Sequence, residues 1–293
     1  MDRYRPVLQE SNVPTDKGQI EADLEKIKEK ATSLASPEVY AQIFNCIDLT
    51  TLNTTDSQSS VAGFIQRVND FDNEYPQYPN VAAVCVYSNF SGLVRSALEV
   101  SDVKIAVVAG GFPSGQTFTE VKVADVALAV AEGANEVDVV MNLGMLRDEH
   151  YEELCDELIE VKHAAKDAAM KVIIESGALR EPRQIRDASI LAMYSDADFI
   201  KTSTGKGYDG ASPEAAYVMC RAIKEYHEKT GRKVGFKAAG GVRSYEDALL
   251  YYAIVKEVLG DEWLSNEYFR IGASSLANAI LAKMIDEAEV KYF

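Results

Sequence analysis

The sequence predicts an α/β protein built as a closed (β/α)8 barrel, the TIM-barrel architecture, with an N-terminal helical extension. Eight short, β-rich apolar runs alternate with stretches of helical periodicity, which favours a parallel sheet. From Asp48 to Ile271 these runs recur at roughly 32-residue intervals, the length of one βα unit in a ~250-residue barrel. No Gly-x-Gly-x-x-Gly motif follows the first run, which argues against a doubly wound sheet.

The N-terminal part of the chain differs from the rest. Pro6, Pro14 and Gly18 predict a loose arm over residues 1 to about 18. Apolar residues then recur in steps of four and three from Ile20, which predicts an amphipathic helix, and a second short helix is expected from Pro37. We therefore divide the chain into an arm and helix over residues 1–44 and a catalytic barrel, with a C-terminal helix and tail, over residues 45–293.

The alternating elements of the barrel can be placed in chain order. Helical periodicity is clearest in four of the connecting segments, Val121–Glu132, Tyr151–Ala168, Pro213–Thr230 and Tyr245–Leu259. The β-rich runs predict strands at Cys46–Leu49, Val81–Tyr87, Lys104–Ala109, Glu136–Val140, Lys171–Glu175, Phe199–Thr202, Lys233–Ala238 and Phe269–Ala273.

Composition excludes several classes of protein. The 293 residues include 30 basic and 46 acidic side chains, and the net charge of -16 argues against a nucleic-acid partner. No apolar run reaches the ~18 residues of a membrane-spanning helix, and the N-terminus lacks the apolar segment of a secretory signal. The four cysteines form no Cys-x-x-Cys pair, which argues against a disulfide framework or a zinc site. We expect a cytoplasmic protein without a membrane partner.

Charged residues inside the predicted strands point to function. A barrel strand is buried on both faces and should be almost continuously apolar. Asp138, Lys201 and Lys237 interrupt the fourth, sixth and seventh strands, near their C-terminal ends. Because side chains alternate along a strand, their apolar neighbours should pack on the outer helices, which directs these three charges into the lumen. Barrel active sites are built at this end of the strands.

Two lysines beside an aspartate suggest imine chemistry. A buried ammonium group must pair with an anion or lose its proton, and two neighbouring lysines lower each other's proton affinity. The resulting neutral amine is the nucleophile of a Schiff-base enzyme, and a carboxylate such as Asp138 can move protons. The alternative is an ion-pair network that only stabilises the barrel, although it leaves the second lysine's charge unexplained.

Three glycine-rich loops follow the last three strands, at Ser203–Gly207, Ala239–Arg243 and Gly272–Ser275. Glycines let backbone N–H groups approach an anion, and Lys206 and Arg243 add positive charge. The serines of the third loop precede a helical pattern and can cap that helix. Since the loops after strands seven and eight form the usual phosphate site of a barrel, the three loops together predict a phosphorylated substrate.

Over roughly residues 45–285 the sequence resembles the deoxyribose-phosphate aldolases, a class I, Schiff-base-forming aldolase family on a TIM barrel. The most specific segments are FIKTSTGK and GFKAAGGVR, and the others are IDLTTLN, VCVY, GANEVDVV, KVIIESG and FRIGASS. The sequence departs from many members at Ser88 and Ala238, where they have proline, and both changes affect backbone stiffness rather than chemical groups. Some members use a tyrosine of the tail for proton transfer, but we do not count Tyr292 as catalytic.

The resemblance implies that Lys201 forms an imine with 2-deoxy-D-ribose 5-phosphate, whose cleavage yields D-glyceraldehyde 3-phosphate and acetaldehyde. Lys237 would lower the pKa of Lys201, and Asp138 would relay protons through water. The protonated imine is the electron sink, so neither a metal nor an organic cofactor is expected. The implied substrate-binding residues are Asp48, Cys85, Thr202, Gly205, Lys206, Gly240, Gly241, Gly272, Ser274 and Ser275.

Two other functions stay open from the sequence. One is another Schiff-base aldolase or a transaldolase with a longer ketone donor, because the sequence does not size the pocket around Lys201. The other is a non-catalytic barrel that binds a phosphorylated ligand and forms no imine. In each case a homo-oligomer is possible, with a dimer as the first expectation, and the N-terminal helix either covers the barrel or contributes an oligomer contact.

Overall fold

A computed structural model describes residues 2–293 and confirms the predicted fold. Eight parallel strands pair in chain order, and the eighth pairs with the first, which closes the barrel. The strands β1 to β8 are Ile47–Thr50, Ala83–Tyr87, Lys104–Ala109, Glu136–Val140, Ala169–Ile173, Phe199–Lys201, Gly235–Ala239 and Phe269–Ala273. Each overlaps the strand predicted from the sequence.

Helices surround the barrel and precede it. Short 3-10 turns occupy Thr32–Leu34, Ser88–Phe90 and Asp261–Trp263. The α-helices α1 to α13 are Arg5–Gln9, Lys17–Ala31, Pro37–Asn45, Gln58–Glu74, Ser91–Ala97, Thr119–Ala131, Leu143–Arg147, Tyr151–Ala165, Ser176–Leu179, Pro182–Tyr194, Pro213–Thr230, Tyr245–Leu259 and Leu276–Met284.

The alternation of side chains along the strands separates two interiors. Outward-facing residues such as Val137, Ile200 and Phe236 join one apolar core between the barrel and the helices. Inward-facing residues fill the lumen, whose β2–β3 side is a separate apolar cluster that includes Cys85 and Val108. The charged residues occupy the remaining side, so the lumen is apolar on one side and ionic on the other.

Strand register brings the charged residues side by side. Lys201 on β6 is the direct partner of Lys237 on β7, and Asp138 on β4 is the partner of Lys171 on β5. Toward the N-terminal end of the strands, the Phe199 ring fills the lumen. A Cβ atom on Gly235 would lie 2.2 Å from that ring, so only glycine fits beside it.

The N-terminal arm is bound to the barrel rather than loose. Residues Arg5–Gln9 form a helix, and Tyr4 and Leu8 are buried. The backbone N–H of Asn12 donates to Glu225 on α11 at 2.7 Å. Helix α2 then packs on α11 and α12. The prolines and glycine suggested a loose arm because they break a regular helix, but they do not prevent apolar side chains from docking on neighbouring helices.

Candidate active site

Asp138 lies at the centre of the ionic side of the lumen and is fully buried. Its Oδ2 atom accepts hydrogen bonds from Lys201 Nζ at 2.8 Å and Lys237 Nζ at 2.7 Å, while its Oδ1 atom accepts from Lys171 Nζ at 2.9 Å. Burial alone would raise the pKa of Asp138, but the three ammonium groups hold it well below its usual range. Asp138 is therefore a carboxylate that joins three lysines.

Lys201 and Lys237 share this oxygen but differ in their other contacts. Lys237 also donates to Asp48 Oδ2 at 2.5 Å. Burial opposes its charge, but the Asp138 and Asp48 carboxylates raise the pKa of Lys237 above its usual value. Lys201 has only the shared oxygen; burial lowers its pKa, Asp138 opposes this shift and the Lys237 charge adds to it. The contacts of Lys237 therefore favour its charged form, whereas those of Lys201 favour the loss of its proton.

A second layer of charges lies beneath these lysines. The Arg270 guanidinium donates to Asp48 Oδ1 at 2.7 Å and to Glu136 Oε1 at 2.7 Å and Oε2 at 3.0 Å. Lys171 Nζ is 2.6 Å from Glu136 Oε2. The charged strand residues singled out from the sequence did not include Arg270. The same signal that revealed Lys201, a charge within a buried strand, was present at Arg270.

A cavity of about 260 Å³ opens above Lys201 at the C-terminal ends of β1, β6, β7 and β8. Thr50, Thr51, Leu52 and Asn53 form its β1 side. Eight residues predicted from the sequence line this single cavity, namely Lys201, Gly205, Lys206, Gly240, Gly241, Gly272, Ser274 and Ser275. The three glycine-rich loops therefore meet over one amine.

The cavity offers hydrogen-bond donors to an anion. Ser274 and Ser275 are exposed at the start of α13, and the Ser275 side chain makes no capping hydrogen bond, so the cap expected at this position is absent. Gly240 has a φ angle of +87°, which places its backbone in the left-handed region that glycine favours. Lys206 Nζ donates to the Leu52 carbonyl at 2.7 Å and ties the β6 loop to the β1 loop.

Glu175 supports the β6 loop from behind. The predicted fifth strand extended to this residue, but β5 ends at Ile173, and Glu175 has a φ angle of +49° before α9. Its carboxylate accepts from the Thr204 hydroxyl at 2.5 Å and from the Thr204 N–H at 3.2 Å. The Thr204 oxygen in turn accepts from the Lys206 N–H at 3.0 Å. Thr204 thereby links Glu175 to the loop that lines the cavity.

Four residues discussed in the sequence analysis lie outside the cavity lining, namely Asp48, Cys85, Thr202 and Tyr292. Both Asp48 oxygens bind the cations Lys237 and Arg270. Cys85 belongs to the apolar side of the lumen, and burial raises the pKa of its thiol. The Thr202 hydroxyl donates to the Ala239 carbonyl at 3.0 Å, so its side chain joins β6 to β7. Tyr292 packs on Phe71 and Tyr75 and donates to the Arg67 carbonyl at 3.0 Å, on the outer face of α4.

Residues 2–293 contain neither a cluster of side chains arranged for a metal ion nor a membrane-spanning helix. No group of three or more histidine, cysteine, aspartate or glutamate side chains is arranged to hold a metal ion in this part of the chain. Within the same residues, no helix combines the length and apolar character needed to cross a bilayer.

Comparison with known proteins gives consistent matches to aldolases. Residues 43–281 match the family model described as DeoC/LacD family aldolase. A Caenorhabditis elegans relative is 42% identical over 270 residues, covering 91% of this chain and 88% of its own length. Human deoxyribose-phosphate aldolase is 39% identical over 256 residues, with 84% and 80% covered. The solved aldolase QR15 has a TM-score of 0.67 at 28% identity and covers 82% of this chain and 94% of its own.

Proposed function

The chain belongs to the DeoC/LacD family of aldolases, and on this premise we propose that it cleaves 2-deoxy-D-ribose 5-phosphate reversibly to D-glyceraldehyde 3-phosphate and acetaldehyde. It is an aldehyde-lyase of the deoxyribose-phosphate aldolase type. The observation that carries the mechanism is Lys201, a buried lysine at the floor of the cavity whose pKa lies below its usual value. An uncharged amine in this position is a nucleophile for an aldehyde.

The chemistry proceeds through a covalent imine. The Lys201 amine adds to the C1 aldehyde of the open-chain sugar, and loss of water leaves a protonated imine. Removal of the C3 hydroxyl proton then makes C3 a carbonyl carbon and breaks the C2–C3 bond, which releases D-glyceraldehyde 3-phosphate. The electron pair of the broken bond moves into the imine and forms a two-carbon enamine. Protonation of the enamine at C2 and hydrolysis release acetaldehyde and regenerate the amine. The protonated imine accepts the electrons, so the proposed reaction needs no metal or organic cofactor.

The residues around Lys201 have separate roles in this proposal. Lys237 stays charged between Asp48 and Asp138 and disfavours a second positive charge on Lys201. Asp138, hydrogen-bonded to Lys201, moves protons through a water molecule during imine formation and enamine protonation. Asp48 acts through Lys237, because both of its oxygens already bind cations. Cys85 and Thr202 shape the surroundings of Lys201 without facing the cavity.

The substrate phosphate binds where the three loops meet. The Ser274 and Ser275 hydroxyls, the Lys206 ammonium and the backbone N–H groups around Gly240 and Gly241 are suited to an anion. These groups supply a local positive region in a chain with a net charge of -16. Gly205 and Gly272 complete the lining and keep it open for a ligand.

Thr204→Val tests the support of this phosphate site. The substitution removes the hydroxyl between Glu175 and Lys206, so we expect KM for the phosphorylated sugar to rise about tenfold, the equivalent of ~1.4 kcal/mol for a lost buried hydrogen bond. Activity on unphosphorylated 2-deoxy-D-ribose should change much less. Steady-state kinetics on both sugars make the measurement, and Thr204→Ser, which keeps the hydroxyl, is the control. Equal losses on both sugars would contradict a specific role in phosphate binding.

The direct test of function is a cleavage assay on 2-deoxy-D-ribose 5-phosphate with separate detection of both aldehydes. We expect both products in equal amounts and the same rate after treatment with EDTA. A reversible loss of activity with EDTA would overturn the metal-free mechanism. Cleavage of a ketose with release of a ketone donor would favour the transaldolase-like alternative. Phosphate-sugar binding without any cleavage would favour the non-catalytic barrel.

We also propose that the enzyme is a cytoplasmic homodimer. The four cysteines are free and buried, which suits a reducing compartment. Three of the large apolar side chains that are exposed among the described residues lie at helical spacing, with Phe118 just before α6 and Val121 and Leu128 within it. Two copies of so acidic a chain repel each other, so an interface is favoured where these exposed apolar side chains of one copy meet those of the other.

Leu128→Glu tests the dimer. Light scattering on the unchanged protein should give twice the chain mass of 32.2 kDa, whereas a buried glutamate at the proposed contact should give monomers. Tyr208→Glu alters another exposed large side chain, outside α6, and should leave the dimer intact. A monomeric unchanged protein, or a Leu128→Glu variant that stays dimeric, would reject this interface.

A further inference from the structure

The ionic side of the lumen contains one more base than acid. Its seven ionisable side chains are at most 5% exposed. A low-dielectric interior penalises an unmatched charge, so the cluster is electrically neutral when one of its bases is uncharged. The four bases are Lys171, Lys201, Lys237 and Arg270, and the three acids are Asp48, Glu136 and Asp138.

The contacts decide which base is uncharged. Arg270 keeps its proton because a guanidinium group does not titrate in proteins. Lys171 lies within 2.9 Å of oxygens from both Glu136 and Asp138. Lys237 likewise contacts two carboxylates, whereas Lys201 contacts only Asp138. The base with the fewest anionic neighbours loses its proton at least cost, and that base is Lys201.

Arg270 supplies the excess charge from a position remote from the substrate. Its guanidinium lies over the Phe199 ring, 5.6 Å from the centroid, and is not part of the described cavity lining. It binds Asp48 and both oxygens of Glu136, and Nε donates to the Asn266 carbonyl. We propose that Arg270 is a positioning residue of the aldolase, which leaves Lys201 as the one uncharged base of the lumen.

Three other ionisable groups lie near Lys201 or Arg270 and are not counted among the seven charges of the lumen. They are Cys85, Cys46 and Glu175. The Cys85 thiol, near Lys201, is kept neutral because burial raises its pKa, and the same holds for the Cys46 thiol near Arg270. Glu175 makes no ion pair with the four bases among the described residues. Its carboxylate accepts hydrogen bonds from Thr204, and burial raises its pKa although the Lys201 charge opposes that shift.

The proposal rests on the aldolase function, and its test compares one variant that removes a positive charge from the cluster with two variants that keep the net charge of the cluster. Arg270→Gln leaves three lysines for three carboxylates, so all can be charged. The acid limb of the kcat/KM profile should then move to higher pH by about one unit. Arg270→Lys keeps the positive charge and should leave the acid limb at the same pH. Arg270→Gln combined with Glu136→Gln again leaves one excess base, so the acid limb should return to its pH in the unchanged protein.

Two further measurements keep the test decisive. The pH dependence of Lys201 labelling by a small amine-acylating reagent reports the same proton without turnover, so it separates failure of this proposal from failure of the aldolase function. If Arg270→Gln does not fold, the Glu136→Gln variant is compared with the double variant. These two proteins differ only at position 270, so the comparison measures the same removal of Arg270. The proposal would be overturned if the removal of Arg270 left two quantities at the same pH, whatever happened to kcat or stability. These are the acid limb of the kcat/KM profile and the midpoint of Lys201 labelling.

Discussion

Lys201→Met is expected to abolish cleavage of 2-deoxy-D-ribose 5-phosphate, with a loss of about 10⁴-fold or more in kcat. Methionine retains the length and packing of the side chain but has no amine to form the imine. Lys201 is the lysine of the lumen that lines the cavity, and neither Lys171 nor Lys237 lies in that lining. No other described lysine of the lumen is therefore placed to act in its stead.

Covalent trapping makes this prediction specific. The unchanged protein is incubated with acetaldehyde, reduced with borohydride, digested and examined by mass spectrometry. An N-ethyl group should appear on the peptide that contains Lys201 and should be missing in Lys201→Met. Lys206→Met removes a different cavity lysine and should keep the adduct, since acetaldehyde carries no phosphate. Absence of any adduct from the unchanged protein would leave the non-catalytic barrel as the better explanation.

Lys237→Met should lower kcat/KM by about 10²-fold at neutral pH and move the pH optimum upward. In the unchanged protein Lys237 is protonated and shares Asp138 Oδ2 with Lys201. Without it, Asp138 Oδ2 pairs with Lys201 alone, which raises the pKa of Lys201. Because the reaction requires the neutral amine, the acid limb of the pH profile shifts to higher pH. Activity should therefore fall most at pH values below the shifted limb.

The matched control is Lys237→Arg, which preserves a positive charge between Asp48 and Asp138. Its pH profile should stay close to that of the unchanged protein, even if kcat falls because the guanidinium is larger. Thermal unfolding of both variants separates loss of folding from loss of rate. A Lys237→Met profile with an unshifted acid limb would remove the role assigned to Lys237.

Much of the site could be predicted from local patterns. Period-two alternation in each strand correctly directed Asp138, Lys201 and Lys237 into the lumen, because the direction of a side chain in a strand follows from its position alone. Loop composition also brought Gly205, Gly240 and their neighbours to one cavity, since the C-terminal ends of parallel strands meet on the same face.

Other features depended on contacts between distant segments. The predicted catalytic group held two lysines and one aspartate, and in the structure Arg270 of β8 and Glu136 of β4 belong to the same network of ion pairs. The serine cap of α13 was wrong for Ser275, and the N-terminal arm proved to be docked, because both outcomes depend on what lies nearby in space. Thr202 follows β6 directly and its hydroxyl bonds the backbone of Ala239 on β7, so this contact depends on the pairing of β6 with β7.

The sequence by itself determined the eight-stranded barrel, the residues that enter its lumen and the loops that surround its mouth, because periodicity and turn chemistry act over a few neighbouring residues. Tertiary structure alone decided which carboxylate meets which base. That pairing depends on the relative register of all eight strands, and it gives Lys237 two anions but Lys201 only a shared one. The identity of the reactive amine is therefore a property of the closed barrel rather than of either strand.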